Sequence, residues 1–202
     1  MEIVDPWSPI IFKDNFTGID FDSVIHKIDP IFNNIPFNAD VEHGGGVSSV
    51  AYSKSKNDHP HQWPEFNDFR KWANDRLSYV IDKWQLANIP YQPVSSWINR
   101  HDNGAWTSEH NHRGSSWSCA YYLKVPENSG RFMVRDPMEY NWGNTKSVNH
   151  RGGVDGIWYP IEVKTGDFLL FPPWMYHKTE KNLSMESRYV MSINYDIVGG
   201  KW

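Results

Sequence analysis

From Pro90 onward the chain alternates short apolar runs with compact turns. "QPVSSWINR" (92–100), "SWSCAYYLKV" (116–125), "GRFMVRDP" (130–137), "WYPIEVK" (158–164), "DFLLFPP" (167–173) and "RYVMSINYDIV" (188–198) are rich in β-branched and aromatic residues, and "DNG", "PENSG", "HRGG" and "KTGD" separate them. Strands this short at this spacing predict an antiparallel sandwich or barrel. Before Pro90 the period changes. Phe66, Phe69, Trp72, Ala73, Leu77, Val80, Ile81 and Trp84 recur at steps of three and four, which predicts a long helix, with Pro64 near its start, packed across a sheet. Phe21, Val24, Ile25, Ile28 and Ile31 repeat in the same way within "FDSVIHKIDPIF", although Pro30 argues against the C-terminal half of that helix. "HGGGVSSVAY" (43–52) reads as a glycine turn feeding a strand. The expected architecture is mainly β with flanking helices: a jelly roll with a helical buttress.

This pattern makes one domain of residues 1–202. A helical buttress with outer strands occupies 1–90, and the jelly-roll core occupies 91–200. The polar, Gly/Asn-rich stretch from Met138 to Asp155 is long enough to be a functional loop or simply a mobile one. Composition narrows the function. Apolar residues form 39% of the chain, enough for one core, and a net charge of -4 gives no basic face for nucleic acid. The N-terminus lacks the basic and apolar regions of a signal peptide, and no run approaches the length of a membrane helix. The one cysteine, Cys119, excludes an intrachain disulfide. A cytoplasmic protein is expected, with no membrane partner. Trp106, Trp142, Trp158 and Trp174 could line a substrate channel, but core or dimer contacts are their commoner use.

The candidate chemistry lies in the histidines. Two His-x-His pairs occur, His59/His61 and His110/His112. On an extended segment such residues point the same way and can reach one ion. Pro60 lies between the first pair and no strand follows, so that pair reads as a solvated connection. The second pair precedes the strand "SCAYYL". By spacing alone, it is either a metal site or two polar turn residues. His177 follows a buried strand and a double proline. On the next strand Arg188, Val190, Ser192 and Asn194 share one face, and Tyr189, Met191, Ile193 and Tyr195 share the other. An inward arginine is costly without an anion. A carboxylate ligand would satisfy it bidentately, and Ser192 could add a hydroxyl.

"HNH", "SWSCAYYLKVPENSGRFMVRDP", "GDFLLFPPWMYH" and "SRYVMSIN" together resemble the Fe(II)/2-oxoglutarate-dependent oxygenases of the double-stranded β-helix fold, in particular the small oxygenases with a His-x-His motif. The resemblance covers roughly Trp97 to Ile197. It implies a dioxygenase that couples oxidative decarboxylation of 2-oxoglutarate to C–H oxidation, with Fe(II) and 2-oxoglutarate as cofactors and O2 as co-reactant. By the same resemblance His110 is the first metal ligand and His177 the distal one. His112 stands where the family has a carboxylate, while Glu109 faces the other side of the strand. Arg188, Ser192 and Tyr122 would bind the distal carboxylate of 2-oxoglutarate, and Asn99 would line its wall. Histidine ligation implies a metal affinity that falls below about pH 6.5. Two other readings remain at this point. One is a cupin-like three-histidine metalloenzyme that does not use 2-oxoglutarate. The other is a jelly-roll binding module without activity. The primary substrate is unreadable, and a homodimer is left open.

Overall fold

A computed structural model describes residues 11–35, 44–83, 89–137 and 158–198. Its centre is a six-stranded antiparallel sheet. β1 (Phe12–Asn15), β7 (Asp167–Phe171), β4 (Trp117–Lys124), β9 (Arg188–Ile197), β3 (Tyr91–His101) and β2 (Val47–Ser48) lie side by side in the order β1-β7-β4-β9-β3-β2. A smaller sheet of β6 (Trp158–Ile161), β5 (Phe132–Arg135) and β8 (His177–Thr179) faces it, in the order β6-β5-β8. An isolated antiparallel bridge joins His110 to His177 and adds the 107–110 segment to this second sheet. The two sheets form the expected jelly roll.

Alternation along the strands divides the core in two. On one face of the large sheet, Trp117, Cys119, Tyr121, Leu123, Phe168, Leu170, Tyr189, Met191, Ile193 and Tyr195 pack with buried helical residues. On the other face, Ala120, Tyr122, Leu169, Phe171 and Val190 pack with Phe132, Val134 and Met175 between the sheets. Period two in β9 therefore gives the separation expected: tyrosines toward the helices, Arg188 and Val190 toward the barrel interior.

The buttress consists of α1 (Phe21–Phe32), α2 (Val50–Lys56) and α3 (Asn67–Lys83). Phe69 of α3 stacks on Tyr121 of β4 with centroids 3.9 Å apart and planes at 19°. The Tyr121 hydroxyl donates to the Phe16 carbonyl at 2.8 Å. Such an aromatic pair adds about 0.5–1.5 kcal/mol beyond its area burial. Pro64 begins a 3-10 turn, Pro64–Phe66, that leads into α3. Among the described residues no helix is long and apolar enough to cross a membrane.

Three expectations change. Pro30 does not end α1, which runs to Phe32. Proline sacrifices only the bond to the residue four earlier, and here two helical residues remain beyond it. The Asn33 N–H then bonds to the Asp29 carbonyl at 3.0 Å and closes the turn. The strand expected after the glycine turn lasts two residues. The Ser49 hydroxyl takes the Ile98 N–H at 2.9 Å, and the chain turns into α2. The His59/His61 connection is buried, not solvated. The two rings stack at 5.6 Å, and His61 meets the Ser96 hydroxyl through both its backbone N–H, at 2.9 Å, and its ring Nδ1, at 2.8 Å. This pair ties the start of the helical layer to β3. Met138–Asp155 and Trp142 lie outside the described residues.

Candidate active site

Three histidines converge between the sheets. The ligand nitrogens of His110, His112 and His177 all lie within 4.8 Å of one another, and His112 Nε2 is 3.3 Å from His177 Nε2. The bridge between the 107–110 segment and β8 makes this convergence. The His110 N–H donates to the His177 carbonyl at 3.0 Å, and the His177 N–H returns the bond at 2.9 Å. His112 is fixed one step on, where its N–H donates to the Pro173 carbonyl at 2.8 Å. The double proline that ends β7 thus holds the second histidine as well as terminating a strand.

The outer nitrogens are also set. His110 Nδ1 lies 2.9 Å from the Ser108 carbonyl, and His177 Nδ1 lies 2.9 Å from the Met175 carbonyl. A carbonyl only accepts, so each Nδ1 carries the proton and each Nε2 presents a lone pair to the cluster. This is the arrangement that backbone carbonyls impose on metal-binding histidines. Phe171 and Phe132 pack against His177, with centroids at 4.8 and 5.2 Å. Burial, aided by the charge of His110, lowers the His112 pKa to about 3. Burial also holds His177 well below 6.5, helped by His110 and His112. Both imidazoles are neutral at neutral pH, as ligation requires. Proton competition at these two therefore begins further into acid than the pH of about 6.5 expected from free histidine.

Glu109 turns away, as expected, and pairs with Arg135. Among the described residues no carboxylate joins the three histidines in the cluster, so the donor set is three imidazole nitrogens. Such a set fits a borderline divalent transition ion and leaves room for further ligands.

Arg188 lies deeper in the barrel and is 0% exposed. Its Nη1 donates to the carbonyls of Ser129 and, at 3.0 Å, Gly130. Its Nη2 donates to the Thr179 hydroxyl at 2.9 Å. Its Nε is buried without a partner. No ion pair to it is formed among the described residues, because the Glu180 carboxylate is taken by Arg131 at 2.8 and 2.6 Å. A buried, unneutralised guanidinium with a spare donor fits an anionic ligand.

The strand register places the remaining candidates between Arg188 and the histidines. Tyr122 and Asn99 flank Val190 on either side, and Ala120 and Trp97 flank Ser192. Asn99 is 4% exposed, and its side-chain oxygen has no partner. Burial raises the Tyr122 pKa, so its phenol remains a hydrogen-bond donor at neutral pH. The structure thus gathers His110, His112, His177, Arg188, Ser192, Tyr122 and Asn99 in one interior.

Two neighbours went unnoticed in the sequence. Trp97 sets its ring 5.8 Å from that of His112. His101, fully buried, faces Arg188 across β3 and β9. The signal was available: both share the inward face of β3 with Asn99 at period two. Of the other tryptophans, Trp174 is exposed, while Trp106 and Trp158 lie under Lys181 and Lys178. None of these three has a ring contact with the histidines.

Comparisons with known proteins agree with this fold. A family model described as "Putative 2OG-Fe(II) oxygenase" matches residues 95–194, about half the chain and all of the gathered residues. No curated protein matches the sequence. Among solved structures, a Pseudomonas putida prolyl-4-hydroxylase is 14% identical with a TM-score of 0.62, over 94% of each chain. A viral collagen prolyl hydroxylase from Paramecium Bursaria Chlorella virus-1, in its 2-oxoglutarate complex, is 12% identical at 0.58, over 92% of this chain and 94% of that one. HygX from Streptomyces hygroscopicus, with nickel and 2-oxoglutarate bound, is 14% identical at 0.57, over 95% of this chain and 84% of that one. At such identities the likeness is one of fold. The family match, running from β3 to β9, supplies the rest: this chain belongs to the 2OG-Fe(II) oxygenases.

Proposed function

We propose that the protein is a hydroxylase in which His110, His112 and His177 hold Fe(II) and Arg188 binds the distal carboxylate of 2-oxoglutarate. The observation that carries this reading is the convergence of the three ligand nitrogens within 4.8 Å, with the tautomers of His110 and His177 set by carbonyls. When bound, iron and 2-oxoglutarate together would supply, with O2 as the oxidant, the oxidative decarboxylation of the cosubstrate to succinate and CO2 and the oxidation of a substrate C–H bond.

The chain's own residues do the rest. The three imidazoles would hold the metal and leave positions for the cosubstrate. As neutral donors they would leave a bound divalent ion its full charge, which a dianionic cosubstrate would balance. Arg188 adds a further positive charge at the far end. Tyr122 donates its phenol proton toward the same end, Ser192 adds a hydroxyl, and Asn99 offers an amide to the wall. Phe132, Phe171 and Val190 exclude water around the cosubstrate, which strengthens each polar contact.

The test is succinate formation. With Fe(II), O2 and 2-oxoglutarate, the wild type is expected to form succinate slowly even without a primary substrate. His110→Ala and His177→Ala should abolish it, and Arg188→Ala should raise the 2-oxoglutarate requirement at least about tenfold, the scale of one lost charged hydrogen bond. Unaltered turnover in Arg188→Ala would remove Arg188 from the cosubstrate site, and a wild type that binds Fe(II) but forms no succinate would favour the three-histidine metalloenzyme that does not use 2-oxoglutarate.

A further inference from the structure

The Thr179 hydroxyl occupies a junction that the proposed reaction does not use. It accepts from Arg188 Nη2 at 2.9 Å and from the backbone N–H of Thr107 at 2.8 Å. Thr107 opens the segment that carries His110 and His112, and its carbonyl takes the Thr179 N–H at 3.1 Å. Thr179 lies two residues after His177 on β8, so the two share a face. On the far side, the Thr107 hydroxyl lies 2.7 Å from His101 Nε2, and His101 faces Arg188 across the sheet. One oxygen therefore joins the arginine to both stretches of chain that carry the histidines. All four residues are buried.

The rest of the Arg188 fork is fixed by main chain. Ser129 and Gly130 hold Nη1 through their carbonyls, and the Gly130 position has no room for a side chain. It has φ +84, and a Cβ there would meet the Glu180 and Lys181 carbonyl oxygens at 2.8 and 2.7 Å. A guanidinium is planar, so a contact at each terminal nitrogen sets its position and its plane. Of these contacts, Thr179 alone also reaches the histidine segment.

We propose that Thr179 is a positioning residue that sets the span between the three histidines and Arg188, and so selects the chain length of the 2-oxo diacid. The inference rests on the reading of this site as the place where iron and 2-oxoglutarate bind. A diacid that chelates iron at one end and meets Arg188 at the other must match that span. Oxaloacetate is one methylene shorter than 2-oxoglutarate, and 2-oxoadipate is one longer. With Thr179 in place the span is rigid and the mismatch is felt. Without its hydroxyl, Arg188 loses its tie to Thr107, its Nη2 keeps only the longer 3.4 Å contact to the Glu180 carbonyl, and the discrimination narrows.

The experiment is an anaerobic titration of the Fe(II)-loaded full chain with each of the three 2-oxo acids, read by the visible metal-to-ligand charge-transfer band. Wild type, Thr179→Ser and Thr179→Val are compared, with Fe(II) affinity measured separately in the absence of 2-oxo acid. The expected result is that Thr179→Val binds 2-oxoglutarate about tenfold or more weakly, the scale of a lost hydrogen bond to a charged group. Its preference over 2-oxoadipate should narrow, Fe(II) affinity should be unchanged, and Thr179→Ser should restore the wild-type pattern. Should Thr179→Val not accumulate as folded protein, Thr179→Cys, with its weaker acceptor, is read by the same criteria. The inference is overturned if the valine variant keeps the wild-type affinity and selectivity. It is equally overturned if affinity for all three acids and for Fe(II) falls by one common factor, because that marks general loosening. A wild type that binds iron but gives no band with any 2-oxo acid overturns the reading of the site itself, a distinct result.

Discussion

His112 is the residue on which the chemistry of this site turns. In the proposed site it would put a neutral ligand where the family has a carboxylate, and its ring nitrogen lies 3.3 Å from that of His177. His112→Asp should therefore still bind Fe(II), with 2-oxoglutarate affinity lowered because the added carboxylate repels the cosubstrate. Loss of iron from this variant, measured by competition with a chelating dye, would count against ligation at this position. The pH dependence follows from the same burial. His112 and His177 are held below the ordinary histidine value, so protons compete with the metal later than they would at free imidazole. Below about pH 6.5, Ni(II) affinity measured by calorimetry should fall with a slope shallower than the three protons per metal of three ordinary histidines; a full three-proton slope that begins near pH 6.5 would show ligands with ordinary basicity. The histidines were legible as a set through the resemblance that joins His110 and His112 to His177, since spacing alone left a polar turn open, and Arg188 through the cost of an inward arginine without an anion. Trp97 and His101 were legible only as sharers of the Asn99 face at period two, and Thr179 not at all, since nothing local reports which residues face Arg188 or His112 across a sheet.

At the level of elements, the helical layer supports the sheet that carries Arg188. Phe69 stacks on Tyr121, whose neighbour Tyr122 points into the barrel. Phe69→Ala should cost about 3–5 kcal/mol in urea denaturation, and a loss below about 1 kcal/mol would show that α3 packs loosely there. His61 makes a second tie, and burial with His59 and Arg70 nearby lowers its pKa to about 4. In the unfolded chain it takes up a proton near 6.5, before the folded chain does. Its contribution is thus present above pH 6.5 and lost as pH falls from 6.5 toward 4. Thermal melts of His61→Gln across that window should decline less steeply than those of the wild type, and parallel declines would contradict the assignment. The strands and the long helix were legible from their periods. The short α2 was not, because its start depends on a tertiary bond, from Ile98 to the Ser49 hydroxyl. Nor was β1, which is partly exposed and gains its place only by pairing with β7.

Taken whole, the molecule joins its N-terminal residues to its C-terminal ones in one sheet. β1 pairs with β7, β2 with β3, and β3 with β9 along nearly its full length. Unfolding should accordingly be a single transition, with far-UV circular dichroism and tryptophan fluorescence coincident; two separated transitions would show that the helical and β parts fold independently. The central claim concerns the interior this sheet encloses, and one anaerobic measurement addresses it. Fe(II) and then 2-oxoglutarate are added to wild type, His110→Ala and Arg188→Ala, and the visible charge-transfer band is recorded. The account predicts a band in the wild type, none in His110→Ala, and in Arg188→Ala a band that appears only at higher 2-oxoglutarate. An undiminished band in both variants, or iron bound by the wild type with no band at any 2-oxoglutarate concentration, would contradict it.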